Sequence, residues 1–357
     1  TREGPTLATY GLNSGPQGYK ALREGVARHL GDKAGLACSA DDILVTSGSL
    51  QALDLINAVF IQPGDTAIVE EGCYGGAMTR LKKLGANYVG APLDGDGIRM
   101  DALSNILDAL KAKGTTPKFV YTIPTVQNPT GSVMPVERRV ELLRLAAAHG
   151  IPIVEDDCYA DLIWDGDRPT AIKGLPGGDR VVYCGSFSKS IAPALRVGYI
   201  VADWPVLSRM LPLKTDGGTG ALEQMVLAEY LAGPFDGHVA ALRTTLKGKC
   251  EAMMEAVNRE FGSAAEFSAP KGGIFLWVTL PDAVDTGRLF KAAGAEGVAI
   301  NPGGEWSADA AAGAHKLRLC FANPSVEEIR EGVARLAEIC HREFGVPVRS
   351  GNVGRSG

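Results

Sequence analysis

The stretch YCGSFSKSIAPALRVGY at residues 183–199 places Ser186, Ser188, Lys189 and Arg196 within eleven residues, inside an otherwise apolar, glycine-bounded segment. Serine hydroxyls donate readily to a phosphate, and the planar fork of an arginine matches phosphate oxygens better than a lysine point charge does. Lys189 has a different environment. It follows an apolar run, has Phe187 and Ile191 beside it, and has cationic Arg196 close by in sequence. Desolvation and a like charge both favour the neutral amine, which is the nucleophilic form. Lys82, Lys83 and Lys247, on polar helix faces, are most simply solvated. A solvated loop is the plain alternative for the whole stretch.

Other segments carry comparable groups. TSGSLQALDLI sets Ser47, Gly48 and Ser49 before a helix, whose first N–H groups and dipole suit a phosphate; an ordinary serine cap is the alternative. TVQNPTG fixes Asn128 in an Asn-Pro turn, and EDDCYADL stacks Glu155, Asp156 and Asp157 at the end of an apolar run. HKLRLCFAN places Arg318 within an apolar strand, where an arginine calls for an anionic partner unless the strand is an exposed edge.

Short β-branched runs alternating with amphipathic segments position these groups. DILVTSG (42–48), TAIVEE (66–71), ANYVGAPL (86–93), KFVYTIP (118–124), IPIVEDD (151–157), RVVYCGS (180–186) and RVGYIVAD (196–203) read as strands of a parallel α/β sheet. PVERRVELLRLAAAHG reads as a helix opening at Pro135 and stopping at Gly150. In such sheets ligands bind beyond the carboxyl ends of the strands, where the polar groups above lie. From about 234 the texture changes to a long helix, two apolar runs and a final helix near 325–344, which reads as a second, α+β unit. The expected division is a large domain at 13–233, a smaller one at 234–345, an arm remnant at 1–12 and a loose tail at 346–357. The opening TREGPTLATYGL reads as the continuation of an upstream segment.

Composition sets the outer limits. A chain of 357 residues, 45% hydrophobic and 22% charged, with net charge −5, carries no basic face for nucleic acid. Its seven cysteines are scattered without a C-x-x-C pair, which suits free thiols in a reducing cytoplasm rather than disulfides or a metal. No run reaches the ~18 apolar residues of a membrane span.

In their order and spacing, SGPQGYKALRE, TSGSLQALDL, PTVQNPTG, EDDCYADL, GSFSKSIAPALRVGY, PKGGIFLWV and LRLCFA resemble the fold type I aminotransferases, which use pyridoxal 5'-phosphate, and particularly the 2-aminoadipate and kynurenine aminotransferase branch. The resemblance runs from about Tyr10 to about Arg342. It implies a large domain with a mostly parallel seven-stranded sheet between helices, plus a smaller α+β domain. It makes Lys189 the Schiff-base lysine and Asp156 the partner of the pyridine nitrogen, with Asp157 as the alternative on physical grounds. Tyr159 and Asn128 would donate to the ring phenolate oxygen, and Tyr74 of EEGCYGG would stack on the ring. Ser49, Leu50 and Gln51, through side chain or backbone N–H, would cup the phosphate with Ser186, Ser188 and Arg196. Asn128 and Arg318 would bind the substrate carboxylate. Tyr19 would cross to the neighbouring subunit's phosphate, giving a homodimer with composite sites. The implied reaction carries an amino group from an α-amino acid to a 2-oxo acid, with 2-oxoglutarate the expected acceptor and no metal. Two other functions fit the same apparatus: the ligand-sensing domain of a transcription regulator, and a lyase using the same cofactor. The identity of the amino acid is not legible.

Overall fold

The computed structural model describes residues 14–348, so Tyr10, the arm remnant expected at 1–12 and the tail beyond 348 lie outside it. The strands are β1 (Ile43–Thr46), β2 (Thr66–Glu70), β3 (Asn87–Ala91), the short pair β4 (Leu93–Asp94) and β5 (Gly97–Ile98), β6 (Val120–Thr122), β7 (Ile153–Asp156), β8 (Val181–Ser186), β9 (Gly198–Val201), β10 (Phe275–Thr279), β11 (Asn301–Pro302) and β12 (Lys316–Cys320). The helices are α1 (Lys20–Ala34), α2 (Ser49–Phe60), α3 (Gly75–Lys83), α4 (Met100–Ala112), α5 (Val136–Ala148), α6 (Trp204–Met210), α7 (Ala221–Ala232), α8 (Phe235–Phe261), α9 (Thr286–Ala295) and α10 (Val326–Phe344).

Each of the seven apolar runs is a strand of one seven-stranded sheet, ordered β1-β9-β8-β7-β6-β2-β3. Its pairs from β8 to β3 are parallel, whereas β9 runs antiparallel to both β8 and β1. Helices cover both faces. Val69, Tyr121, Val154 and Val182 pack under α2, α3 and α6, while Ile68, Val120, Ile153 and Val181 pack under α4 and α5. Burial on both sides explains why these strands are continuously apolar rather than alternating. Each such side chain contributes about 1.5–3 kcal/mol on leaving water. Helix α5 departs slightly from expectation: Pro135 is its cap, in extended backbone, rather than its first helical residue.

Beyond α7 the long α8 packs with α9, α10 and a three-stranded antiparallel sheet ordered β10-β12-β11. Helix α10 begins in a reciprocal cap between Ser325 and Glu328 and buries Ile329, Val333, Leu336 and Cys340, the spacing of one helical face. The same core takes in Val126, Tyr159, Leu162 and Ile163 from the loops after β6 and β7. Tyr159 therefore sits where the two sheets' cores meet.

Candidate active site

Five strands of the large sheet end at one edge. At or beyond the ends of β1, β2, β6, β7 and β8 come Ser49, Tyr74, Asn128, Asp156 with Tyr159, and Ser186 with Lys189, in that order. Because β9 runs the other way, Arg196, two residues before it, arrives at the same edge.

Asp156 is the last residue of β7 and is buried. Tyr121 of β6 donates its hydroxyl hydrogen bond to Oδ2 at 2.7 Å, while Oδ1 has no partner among the described residues. Burial pushes the Asp156 carboxyl above its ordinary range, and the Cys158 thiol and Tyr121 hydroxyl offset part of that rise. Asp157 differs. Arg168 at 2.8 Å and Tyr183 at 3.0 Å both donate to its Oδ2, so its charge is met even though its Oδ1 also lacks a hydrogen bond.

Lys189 stands in the turn after β8, its Nζ 6.0 Å from the centre of the Tyr159 ring. The Tyr159 hydroxyl accepts from Asn128 Nδ2 at 3.2 Å, and Asn128 Oδ1 accepts from Arg318 at 3.1 Å. Arg318 lies on β12, the middle strand of its sheet, which removes the exposed-edge alternative. A second bond to Asn301 Oδ1 at 3.0 Å orients its fork, and its guanidinium carbon lies 3.6 Å from the Trp306 ring centre and 5.1 Å from that of Phe275. Desolvation lowers the Arg318 pKa, and its Nε has no partner among the described residues. It is therefore an oriented, incompletely satisfied cation, ready for an anion.

A cradle forms where α2 begins. Gly48 caps this helix at φ +83°, and a Cβ there would lie 2.2 Å from Arg196 Nη2. Across from it, a Cβ on Gly198 would meet Gly48 carbon and Ser49 nitrogen at 2.8 Å. Glycine at both positions lets the Arg196 guanidinium lie over the helix N-terminus, where the N–H groups of Ser49, Leu50 and Gln51 are left unused by helix geometry. Ser186 accepts from the Ser188 N–H at 3.1 Å beside it. The Gln51 side chain turns elsewhere, to the Ser47 N–H and the Asp216 carboxylate, which leaves its backbone as the group facing the cradle. Tyr74 caps α3, half-buried, its ring 5.9 Å from that of Trp306, and burial raises its pKa. Tyr19 caps α1 and donates its N–H to Gln224.

The profile of the family Aminotransferase class I and II matches residues 3–336. The chain belongs to that family. Aromatic-amino-acid aminotransferase 1 of Thermococcus litoralis is 37% identical over 332 residues, 92% of this chain and 79% of its own length. The crystal structure of Pyrococcus horikoshii kynurenine aminotransferase, in complex with PMP and with KYN as substrate and KYA as product, superimposes with a TM-score of 0.89 at 36% identity, over 95% of this chain and 84% of that one. An uncharacterized HTH-type transcriptional regulator of Bacillus subtilis, YisV, is 32% identical over 330 residues, 92% of this chain and 66% of its own length. The cofactor of this aminotransferase is pyridoxal phosphate. The pocket fits it, since a protonated ring nitrogen is the donor that Asp156 Oδ1 lacks.

Several residues of the aminotransferase's site escaped the sequence reading. Tyr121, Asn301, Phe275 and Trp306 act through partners distant in sequence, and only the Asn-Pro turn at 301–302, similar to that at 128–129, gave a signal. Glu70 and Gln127 form a hub behind Asn128. Glu70 accepts from Thr122 at 2.6 Å, Ile123 N–H at 3.1 Å and Gln127 at 2.8 Å, and Gln127 also donates to the Gly72 and Asn128 carbonyls. Burial pushes the Glu70 carboxyl up to about 8.

Proposed function

We propose that this aminotransferase moves the amino group of an α-amino acid to 2-oxoglutarate, with Lys189 as the covalent anchor of the cofactor. The observation that carries the reading is the unpartnered, fully buried Oδ1 of Asp156, placed on the same sheet edge as Lys189, Asn128 and Arg196. When bound, the cofactor supplies a carbonyl carbon for amine exchange and a ring that accepts the electron pair left at the substrate Cα. Asp156, as the ionised carboxylate opposite the ring nitrogen, keeps that nitrogen protonated. Lys189, displaced by the incoming amine, takes the proton from the substrate Cα with its free Nζ. Arg318 and Asn128 orient the substrate carboxylate, and Tyr159 with Asn128 supplies donors for the ring phenolate oxygen. Tyr74 covers the ring and excludes water. Ser49, Leu50, Gln51, Ser186, Ser188 and Arg196 hold the phosphate.

In this reading residues 13–233 bind the cofactor, residues 234–345 close over the substrate, and Tyr19 completes the phosphate site of a second subunit. Support for the homodimer comes from apolar Leu213, Leu222 and Val226, each at least 45% exposed, around the α7 segment whose Gln224 holds Tyr19. Free thiols at all seven cysteines are consistent with a reducing compartment such as the cytoplasm, and no helix among the described residues is long and apolar enough to cross a membrane.

The test is a panel of amino donors with 2-oxoglutarate. Stoichiometric glutamate and the donor's oxo acid, without ammonia or carbon dioxide, support transfer; release of either gas-forming product would indicate a lyase instead. Borohydride reduction followed by mass spectrometry should find the pyridoxyl group on Lys189, and a label on another lysine would refute the assignment. The regulator relative is less similar than the aminotransferase, and ligand sensing is the reading left if no donor turns over.

A further inference from the structure

We propose that Asp156, Cys158 and Cys184 form a site for a thiophilic divalent cation, zinc being the obvious cellular candidate, and that this cation and the cofactor exclude one another. Asp156 and Cys184 are register partners on adjacent strands β7 and β8, near the middle of the large sheet, and Cys158 follows two residues after Asp156. One oxygen and the two sulfurs all lie within 4.8 Å of one another. Tetrahedral zinc, with Zn–S of ~2.3 Å and Zn–O of ~2.1 Å, needs its ligand atoms about 3.5–3.8 Å apart, a closure within reach of side-chain rotation.

Three observations distinguish this group from an incidental cluster. Asp156 Oδ1 is buried and has no hydrogen bond among the described residues, while the Cys158 thiol already bonds to the Asp156 carboxylate and to Cys184, so the three groups converge before any cation arrives. Both cysteines are free thiols, and Cys158 is partly exposed, which gives a cation an approach. Among the described residues no other set of three acidic, histidine or cysteine side chains converges in this way. Two thiolates and a carboxylate leave one coordination position for water, the ligand number of an open zinc site. Binding replaces two S–H bonds by two S–metal bonds and releases two protons, with no change of oxidation state.

Exclusion rests on the reading above, in which the same Asp156 carboxylate meets the pyridine nitrogen. A chain that captured the cation before the cofactor would be held in an unloaded form, so the site would make cofactor uptake sensitive to free zinc.

Cadmium is the probe, because its bond to thiolate absorbs in the ultraviolet where zinc is silent. The full chain, stripped of cofactor and dialysed, should bind one Cd2+ with a thiolate band, and the loaded enzyme should show none. The band should vanish in Cys158→Ala and in Cys184→Ala, yet persist in Cys320→Ala, which removes an exposed thiol outside the group. At Cd2+ ten times its Kd, cofactor uptake, read by visible absorbance, should slow about tenfold, because only the metal-free fraction can load. Uptake by each cysteine variant in the absence of metal shows that it has folded. If one does not fold, the comparison of stripped and loaded wild-type protein still decides. No band in the stripped protein, a band that survives both alanine variants, or equal binding by stripped and loaded protein would overturn the proposal. Asp156→Asn tests the place of Asp156 beneath the ring separately, through turnover of the loaded enzyme, so the two ideas can fail independently.

Discussion

The Tyr121 hydroxyl on β6 and Asp156 Oδ2 on β7 are joined across neighbouring strands by a buried hydrogen bond of 2.7 Å. That bond fixes the carboxylate plane and leaves the buried Oδ1 for another donor. Tyr121→Phe should lower kcat/KM by roughly ten- to a hundredfold, the value of a hydrogen bond to a charged group at ~1.5–3 kcal/mol. Asp156→Asn should cut turnover by several orders of magnitude, because an amide cannot hold the ring proton. Asp157→Asn should instead act on stability, since it removes one of the two carboxylates that meet the buried Arg168, the other being Asp161, at a cost of ~1–3 kcal/mol. Steady-state kinetics beside thermal melting separates the three; turnover lost in Asp157→Asn and kept in Asp156→Asn would reverse the assignment.

Gly48→Ala should weaken cofactor binding by at least about tenfold while the fold persists. The new methyl would occupy the place of Arg196 Nη2, and φ +83° is strained for any L side chain. Arg196 is exposed and can swing away, so the loss falls on affinity rather than on folding. Spectroscopic titration of the stripped variant gives the Kd, and circular dichroism checks the fold. An unchanged Kd would remove Arg196 from the phosphate site.

Trp306→Leu should raise KM for the amino donor by roughly tenfold with little change in kcat, since the indole face supports the Arg318 guanidinium at 3.6 Å and a cation–π contact in a desolvated site is worth ~1–2 kcal/mol. Arg318→Lys should raise KM further, because an ammonium cannot reproduce the two-pronged contact. A fall in kcat alone in Trp306→Leu would place the indole at the reacting atoms instead.

Glu70 gives a pH signature. Its carboxyl, ordinarily at 4.5, is pushed up to about 8 by burial. Between these values the folded chain holds a proton that the unfolded chain has lost. The stabilisation is complete below the lower value and disappears as pH rises through the upper one, by up to about 1.4 kcal/mol per pH unit. Glu70→Gln has no such proton, and its melting temperature should depend less on pH between about 5 and 8 than that of the parent. Parallel slopes would show that Glu70 does not titrate in this range.

Much of this arrangement was legible in the sequence because a sheet buried on both faces imposes continuous apolar runs, and each of the seven runs became a strand. The polar residues just past those runs then had to share one edge. Less legible were elements too short to carry periodicity, such as β11 at Asn301–Pro302, whose asparagine nevertheless orients Arg318. Gln51 shows a second limit. Its position in the first turn of α2 was clear, but the direction of its side chain depends on Asp216, 165 residues away. The reversed direction of β9 was also hidden, since an antiparallel strand buried between two others has the same apolar texture as its neighbours.

That reversal ties two anchors to a single hinge. The chain leaves β8, passes Lys189 and returns through Arg196 into β9 without a crossover helix, so the groups assigned to the two ends of the cofactor ride on one short loop. A local opening of this loop would loosen both grips together, whereas no other strand end among the described residues carries both the covalent anchor and a phosphate ligand. The stability of this one hairpin connection, rather than that of the domain as a whole, would then set how long a loaded molecule stays loaded.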